Sequence, residues 1–254
     1  MSPAEVGIGV AIGLVAGVLS GLFGVGGGIL MTPGIQVLLG APPIVALATP
    51  LPVIFPTALA GALAYRRGGE LDARAAVWLV GPGLAGAALG AWLTELVDTR
   101  LLLLVTAVLL GSQSVAILLE RHRHRTARPT TGPILGGIGA VAGFVSGLLG
   151  IGGGLVMVPL LAGWLGMPLK RALGTSLLAI IALVVPGTIV HAALGHIDLG
   201  ICLAVMVGAV PGARLGAALA LRAKDRTLRL VVGGGLLVIS IAYALEQVTT
   251  MLAG

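Results

Sequence analysis

The stretch Gly13 to Pro33, GLVAGVLSGLFGVGGGILMTP, returns as Gly139 to Pro159, GAVAGFVSGLLGIGGGLVMVP, a constant 126 positions later. The same offset pairs Thr49 with Thr175, Gly69 with Gly195, Asp72 with Asp198, Gly86 with Gly212 and Gly90 with Gly216. No gap is needed to hold the register, so the chain reads as a unit duplicated within itself. The division that follows is 1–120 for the first repeat, 121–130 for a basic linker and 131–254 for the second repeat.

Composition says what the repeat is made of. Of 254 residues 57% are apolar, 9% are charged and 42 are glycine, and the mean hydropathy is +1.13. A soluble domain of this size cannot bury that much apolar surface. The glycines have no three-residue period, which excludes collagen, and the low charge excludes a disordered chain. Apolar runs of about 20 residues, the length a bilayer requires of a helix, recur throughout. The expected class is an all-α integral membrane protein forming one membrane domain. The run from Val6 to Leu22 has the length of a signal peptide, but nothing basic precedes it and its copy recurs at Ile134 to Leu149, so it reads as part of the fold.

Each repeat divides into about five helical segments, in the first half 5–22, 29–39, 44–65, 74–94 and 100–119. The second is too short to span at about 1.5 Å per residue. It follows a triple glycine and contains Pro33, as its partner at 154–166 contains Pro159. Segments one and two therefore predict a broken or re-entrant hairpin. Whether the hairpin crosses twice or dips and returns, each unit makes an odd number of net crossings, so the second unit is expected to insert inverted. Loop charge gives an independent check. With RHRHRTAR (Arg121 to Arg128) in the cytoplasm, thirteen of the fifteen Lys and Arg fall on that side, leaving Arg100 outside and Arg214 within a span. Both termini then lie outside the cytoplasm. The formal charge of +6 is thus a topology signal, and no nucleic-acid partner is expected.

Inverted pairs of broken helices are how many secondary transporters bind substrate near the bilayer midplane. Gly26, Gly27 and Gly28, with Gly152, Gly153 and Gly154, suit that role: glycine permits positive φ, leaves N–H groups uncovered and opens a short helix with its positive dipole end. Such ends favour a small anion. The competing reading is close helix packing, which the spaced glycines Gly13, Gly17, Gly21, Gly139, Gly143, Gly147, Gly208, Gly212 and Gly216 fit better than the two turns do.

At these motifs the chain resembles the TauE/SafE sulfite exporters. The resemblance spans nearly the whole chain and is carried by SGLFGVGGGILMTP, SGLLGIGGGLVMVP, ALGTSLLAI at Ala172 to Ile180 and GHIDLG at Gly195 to Gly200. It implies export of a small sulfur oxyanion or sulfonate, such as sulfite or sulfoacetate, in a family whose members differ in substrate and direction. One departure stands out: the second half reads Thr175-Ser176 where the first reads Thr49-Pro50, so one half lacks a hydroxyl.

Hydroxyls in apolar helices either satisfy backbone groups freed at a break or donate to a bound oxyanion, and Ser20, Ser146, Thr49, Thr175 and Ser176 are open to both readings. Arg214, whose repeat partner is Ala88, either faces the site or snorkels to water. His191 and His196 flank the outer mouth; there a histidine carries the proton of a coupled cycle or is an ordinary interfacial residue. Asp72 and Asp198 precede apolar runs as helix N-caps. Cys202 has no partner cysteine and reads as packing, and no metal ligand set or cofactor is expected.

The function expected is therefore alternating-access export of a small sulfur-containing anion, with proton coupling as one option. The alternatives are a passive small-anion channel and an importer of another small organic anion. An ATP-driven pump lacks its GxxxxGK[ST], and an enzyme lacks a paired-carboxylate, HExxH or Ser/His/Asp set at plausible depth. Small anion and lipid bilayer are the expected partners; oligomeric state has no signal in the sequence.

Overall fold

The computed structural model describes residues 1–94, 108, 111–112, 114–115, 131–150, 152–224, 226–231, 233–235, 237–238 and 240–241. The 121–130 linker, Arg100 and most of the segment 100–119 lie outside the described residues.

All described elements are helical. Helix α1 (Pro3–Phe23) opens on a capping box, in which the Ser2 hydroxyl accepts from the Glu5 N–H and the Glu5 carboxylate accepts from the Ser2 N–H. It ends at Gly24 in the left-handed region, whose N–H returns to the Ser20 carbonyl at 2.8 Å. Helix α2 (Gly28–Pro33) continues as a π-helical turn, Gly34–Leu38. Next come α3 (Pro43–Ala48) and α4 (Pro50–Arg67), joined through Thr49, where Pro50 and Pro52 remove two backbone donors. Helix α5 (Ala73–Leu93) completes the first set. The second set is α6 (Gly132–Leu149), α7 (Gly154–Pro159) with its π-helical turn Leu160–Trp164, α8 (Leu169–Ala193) and α9 (Leu199–Arg222).

The 126-residue offset is written into the backbone. Among the described residues the positive-φ glycines fall in pairs at that offset: 24 with 150, 26 with 152, 27 with 153, 40 with 166 and 69 with 195. Asp72 and Asp198 cap α5 and α9 as expected, each accepting through Oδ1 from the N–H three residues on, at 2.9 Å.

The most extensive helix packing runs between the halves. Helix α1 lies along α9, and α6, the counterpart of α1, lies along α5, the counterpart of α9. Small residues make this approach possible: a methyl at Gly17 would run into the Ala209 carbonyl, and one at Gly143 into the Gly83 carbonyl. In lipid, where apolar contact between helices gains little over contact with acyl chains, such close backbone packing is a main source of association. Between these two pairs α4 packs on α8, with Leu47 of α3 and Leu51, Ile54 and Ala58 of α4 in one buried core with Leu173, Leu177, Ile180 and Val184.

Six described helices are long and apolar enough to cross a membrane: Pro3–Phe23, Pro43–Arg67, Ala73–Leu93, Gly132–Leu149, Leu169–Ala193 and Leu199–Arg222. The two stretches Gly28–Leu38 and Gly154–Trp164 are apolar but shorter. Leu203 and Val207 are 61% and 66% exposed on the outside of α9, as side chains facing acyl chains should be. The protein is an all-helical, multi-pass membrane protein.

Candidate functional site

The two glycine turns meet at the centre of the molecule. A Cβ on Gly154 would strike the Gly24 carbonyl, and one on Gly152 would come within 3.2 Å of the Val25 carbonyl. Ile54 and Ile180, again 126 positions apart, fill the space around both turns: a Cβ on Gly26 would meet their methyls at 3.0 and 3.3 Å. These isoleucines lie near the middle of the helices Pro43–Arg67 and Leu169–Ala193. The turns are therefore deep within the helical assembly, far from either set of helix ends.

Glycine is required at both turns. Gly26 and Gly27 hold φ of 86° and 89°, Gly152 and Gly153 of 86° and 69°, a region where other L residues are strained by about 1–2 kcal/mol. Each second glycine is the N-cap of the following short helix, its carbonyl accepting from Met31 or Met157 N–H at 3.2 Å. The first N–H groups of such a helix have no intrahelical acceptor and point toward the turn.

Two hydroxyls stand beside these turns without partners. Ser20 Oγ and Ser146 Oγ are buried and make no hydrogen bond. Their Cβ atoms lie where a side chain on Gly27 or Gly153 would come within 3.2 Å. Ser20, Gly27, Phe23 and Leu30 border a cavity of about 10 Å³. That is room for one water and too little for a sulfur oxyanion. In apolar helices a serine commonly bonds back to its own backbone; two matching serines that do not are the least expected feature of this interior.

The other expected site residues fall elsewhere. Ser176 Oγ donates to the Gly24 carbonyl at 2.6 Å, with the Leu173 carbonyl at 2.9 Å, tying α8 to the first turn. Pro50 occupies the matching position, so the second turn has no such tie. Thr175 and Thr49 do not reach the turns: their Oγ1 atoms accept from the backbone N–H of Asp72 and Asp198, at 3.0 and 3.2 Å, each across to the opposite half. Arg214 is exposed on the outward face of α9, away from the glycine seam formed by Gly212 and Gly216. His191 is fully buried in the last turn of α8, and its Nδ1 lies 3.1 Å from Nδ1 of His196. Among the described residues no group of three His, Cys, Asp or Glu could hold a metal ion.

Sequence reasoning missed the isoleucine pair and the His191–His196 contact. The offset alone could have found Ile54 and Ile180. The histidine contact had no sequence signal, because it depends on the turn at Gly195 folding His196 back over His191, with the His196 N–H donating to the His191 carbonyl at 3.0 Å.

The family model described as "Sulfite exporter TauE/SafE" matches residues 9–243. A "Probable membrane transporter protein" of Xylella fastidiosa (strain 9a5c) is 34% identical over 240 residues, covering 91% of this chain and 90% of the relative. "Probable membrane transporter protein YunE" of Bacillus subtilis (strain 168) is 28% identical over 250 residues, covering 88% and 91%. No solved structure matches. A polytopic helical fold with its repeated glycine turns at the centre, matched over nearly its full length, makes this chain a member of the TauE/SafE family of membrane transporters, and not an enzyme.

Proposed function

We propose that the protein exports a small sulfur-containing anion, such as sulfite, sulfoacetate or a related sulfonate, across a bacterial inner membrane by alternating access. The observation that carries this reading is the meeting of two matched glycine turns, each beside a buried serine hydroxyl with no partner. In the proposal the repeats 1–120 and 131–254 insert inverted, joined by a cytoplasmic 121–130 linker, with both termini outside. The anion takes N–H groups at Gly26, Gly27, Gly28, Gly152, Gly153 and Gly154 and hydroxyl protons from Ser20 and Ser146. Donors fixed before the ligand arrives suit an oxyanion, because hydrogen bonds to a charged acceptor are the strong ones. Ser176 holds the first turn in place, and Thr49 and Thr175 hold the halves together. The cycle is coupled to protons through His191.

The tight packing beside Ser20 favours a carrier over a channel. The space of about 10 Å³ beside Ser20 is too small for a sulfur oxyanion, so in this reading the halves move to admit substrate, and a moving carrier saturates. The test is counterflow on purified protein in liposomes, loaded in turn with sulfite, sulfoacetate and taurine. Saturable exchange with at least one sulfur oxyanion, competed by the others, is expected. Flux that rises linearly with concentration would assign a channel, and exchange confined to anions without sulfur would overturn the substrate class.

A further inference from the structure

We propose that His191 and His196 together form a one-proton switch whose state sets the contact between the two halves, so that the coupling proton binds the pair and not His191 alone. The inference rests on the transport reading above and names how that cycle is driven.

The geometry starts at the end of α8. Gly195, at φ 73°, turns the chain so that the His196 N–H donates back to the His191 carbonyl at 3.0 Å. The rings face each other with centroids 5.4 Å apart, tilted by 45°, and with Nδ1 atoms 3.1 Å apart. An Nδ1···Nδ1 contact of this length needs one N–H and one lone pair. The pair therefore holds one bridging proton between its rings, and protonating both Nδ1 atoms would set two N–H groups against each other and part the rings. His191 Nε2 is buried and has no partner, so nothing in the resting fold consumes the far side of that ring. His196 is only half-buried, and its neighbours Gly195 and Ile197 line a cavity of about 410 Å³ with Glu5 and Asp198. The pair thus sets a half-buried ring, in a turn that borders this cavity, against a buried one.

The same turn connects to the other half. Asp198, two residues past His196, gives its backbone N–H to Thr49 Oγ1 at 3.2 Å, at the junction of α3 and α4. Parting the rings displaces the turn 195–198 and loosens that bond. The carboxylate of Asp198 is already committed to the Ile201 N–H at 2.9 Å.

Glu5 and Asp198 stand near the pair, around the cavity that Gly195 and Ile197 also line, whereas the charged groups on the elements packed along α8 stand at its far end. The elements packed on α8 are chiefly α4 and α5, with smaller contacts from α3, α6 and α7. Their described titratable residues are Tyr65, Arg66 and Arg67 on α4 and Arg74 on α5. Tyr65 packs at Gly174, and Asp72, next to Arg74, bonds Thr175, both in the early turns of α8. On α8 itself Lys170 and Arg171 are at that same end.

The first half supplies an internal comparison. Its matching turn carries Tyr65 and Glu70 where the second carries His191 and His196; the Glu70 N–H donates to the Tyr65 carbonyl at 2.9 Å, and the Tyr65 hydroxyl donates to the Gly21 carbonyl at 2.9 Å. The turn therefore forms without histidine. What the histidine pair adds is two facing ring nitrogens that can hold or release a proton.

The test uses full-length protein without substrate. In a Cys202→Ala background, single cysteines at Ile197 and at Leu71, the matching turn, are labelled at about pH 4.5 and about pH 8.5, either side of the range of about 5 to 8 in which imidazoles ordinarily change charge. Taking the ratio of the two sites removes the pH dependence of the thiol itself. The ratio is expected to change by roughly fivefold or more between the two pH values, a typical coupling magnitude. The change should vanish in His191→Gln, in His196→Gln and in the double variant His191→Tyr with His196→Glu, which installs the first half's pair. In liposomes these variants should lower the ratio of pH-gradient-driven flux to counterflow by a similar factor. A pH response equal in wild type and variants, or absent in wild type, overturns the switch. A response that persists while no sulfur anion is exchanged leaves the switch standing and overturns the substrate reading.

Discussion

The hydroxyl of Thr175 accepts the backbone N–H of Asp72 at 3.0 Å, and its counterpart Thr49 accepts that of Asp198 at 3.2 Å. Each threonine thereby supports the N-cap of a helix in the opposite half, so the halves are exchanged through two equivalent bonds. Interhelical hydrogen bonds of this kind contribute about 0.6 kcal/mol on average and up to about 1.7. Thr175→Val and Thr49→Val should each lower unfolding stability by about 1 kcal/mol, and the matching serine variants should keep most of it. Thermal unfolding in detergent checks this, and no loss in either valine variant would contradict it.

Ser20→Ala and Ser146→Ala should not destabilise the fold, because each removes a buried hydroxyl that bonds to nothing. If these hydroxyls donate to a bound anion, each alanine variant should weaken substrate binding by roughly tenfold or more, as expected for a hydrogen bond to a charged group. Binding measured beside melting temperature separates the roles. Unchanged affinity in both variants would remove the serines from the site.

Gly27→Ala and Gly153→Ala should abolish transport and destabilise by about 1–2 kcal/mol, since both positions hold positive φ. Gly137→Ala is the control: nothing lies within 4 Å of a Cβ there, on an exposed face of α6. It should be neutral or stabilise by up to about 1 kcal/mol. Near-normal flux in Gly153→Ala would show that the turn need not be glycine.

Arg214→Gln should leave substrate affinity within about twofold, because the side chain is exposed away from the glycine turns and long basic chains near a helix end extend to water. A loss of tenfold or more in affinity would bring Arg214 back to the site.

Inverted repeats place equivalent loops on opposite sides of the membrane. Single cysteines at Gly69 and Gly195, introduced with Cys202→Ala, should therefore label from opposite faces, Gly195 from outside and Gly69 from the cytoplasm. Impermeant labelling of intact and permeabilised cells checks the orientation. Labelling of both from one side would refute the inversion.

The sequence by itself determined the kind of protein and its periodicity. Hydropathy set the membrane class because a bilayer demands long apolar helices, and the offset of 126 paired the two triple-glycine turns, in which Gly26, Gly27, Gly152 and Gly153 take positive φ. The caps at Asp72 and Asp198 were legible because capping is local, settled within three residues. What only the tertiary structure decided is what the halves do to each other. Thr49 and Thr175 sit near the turns in sequence logic, yet their hydroxyls bond across the molecule, over 149 and 103 positions. Ser176 ties down one turn and leaves the other untied, an asymmetry visible in Pro50 but meaningless until Gly24 was seen beside it. Arg214 faces outward because the small-residue seam of α9 packs on α1 and fixes the rotation of the helix. Hydropathy is a property of segments and reads directly from a chain, whereas the partner of a single polar atom depends on which backbones approach closely, and that is settled only when the helices pack.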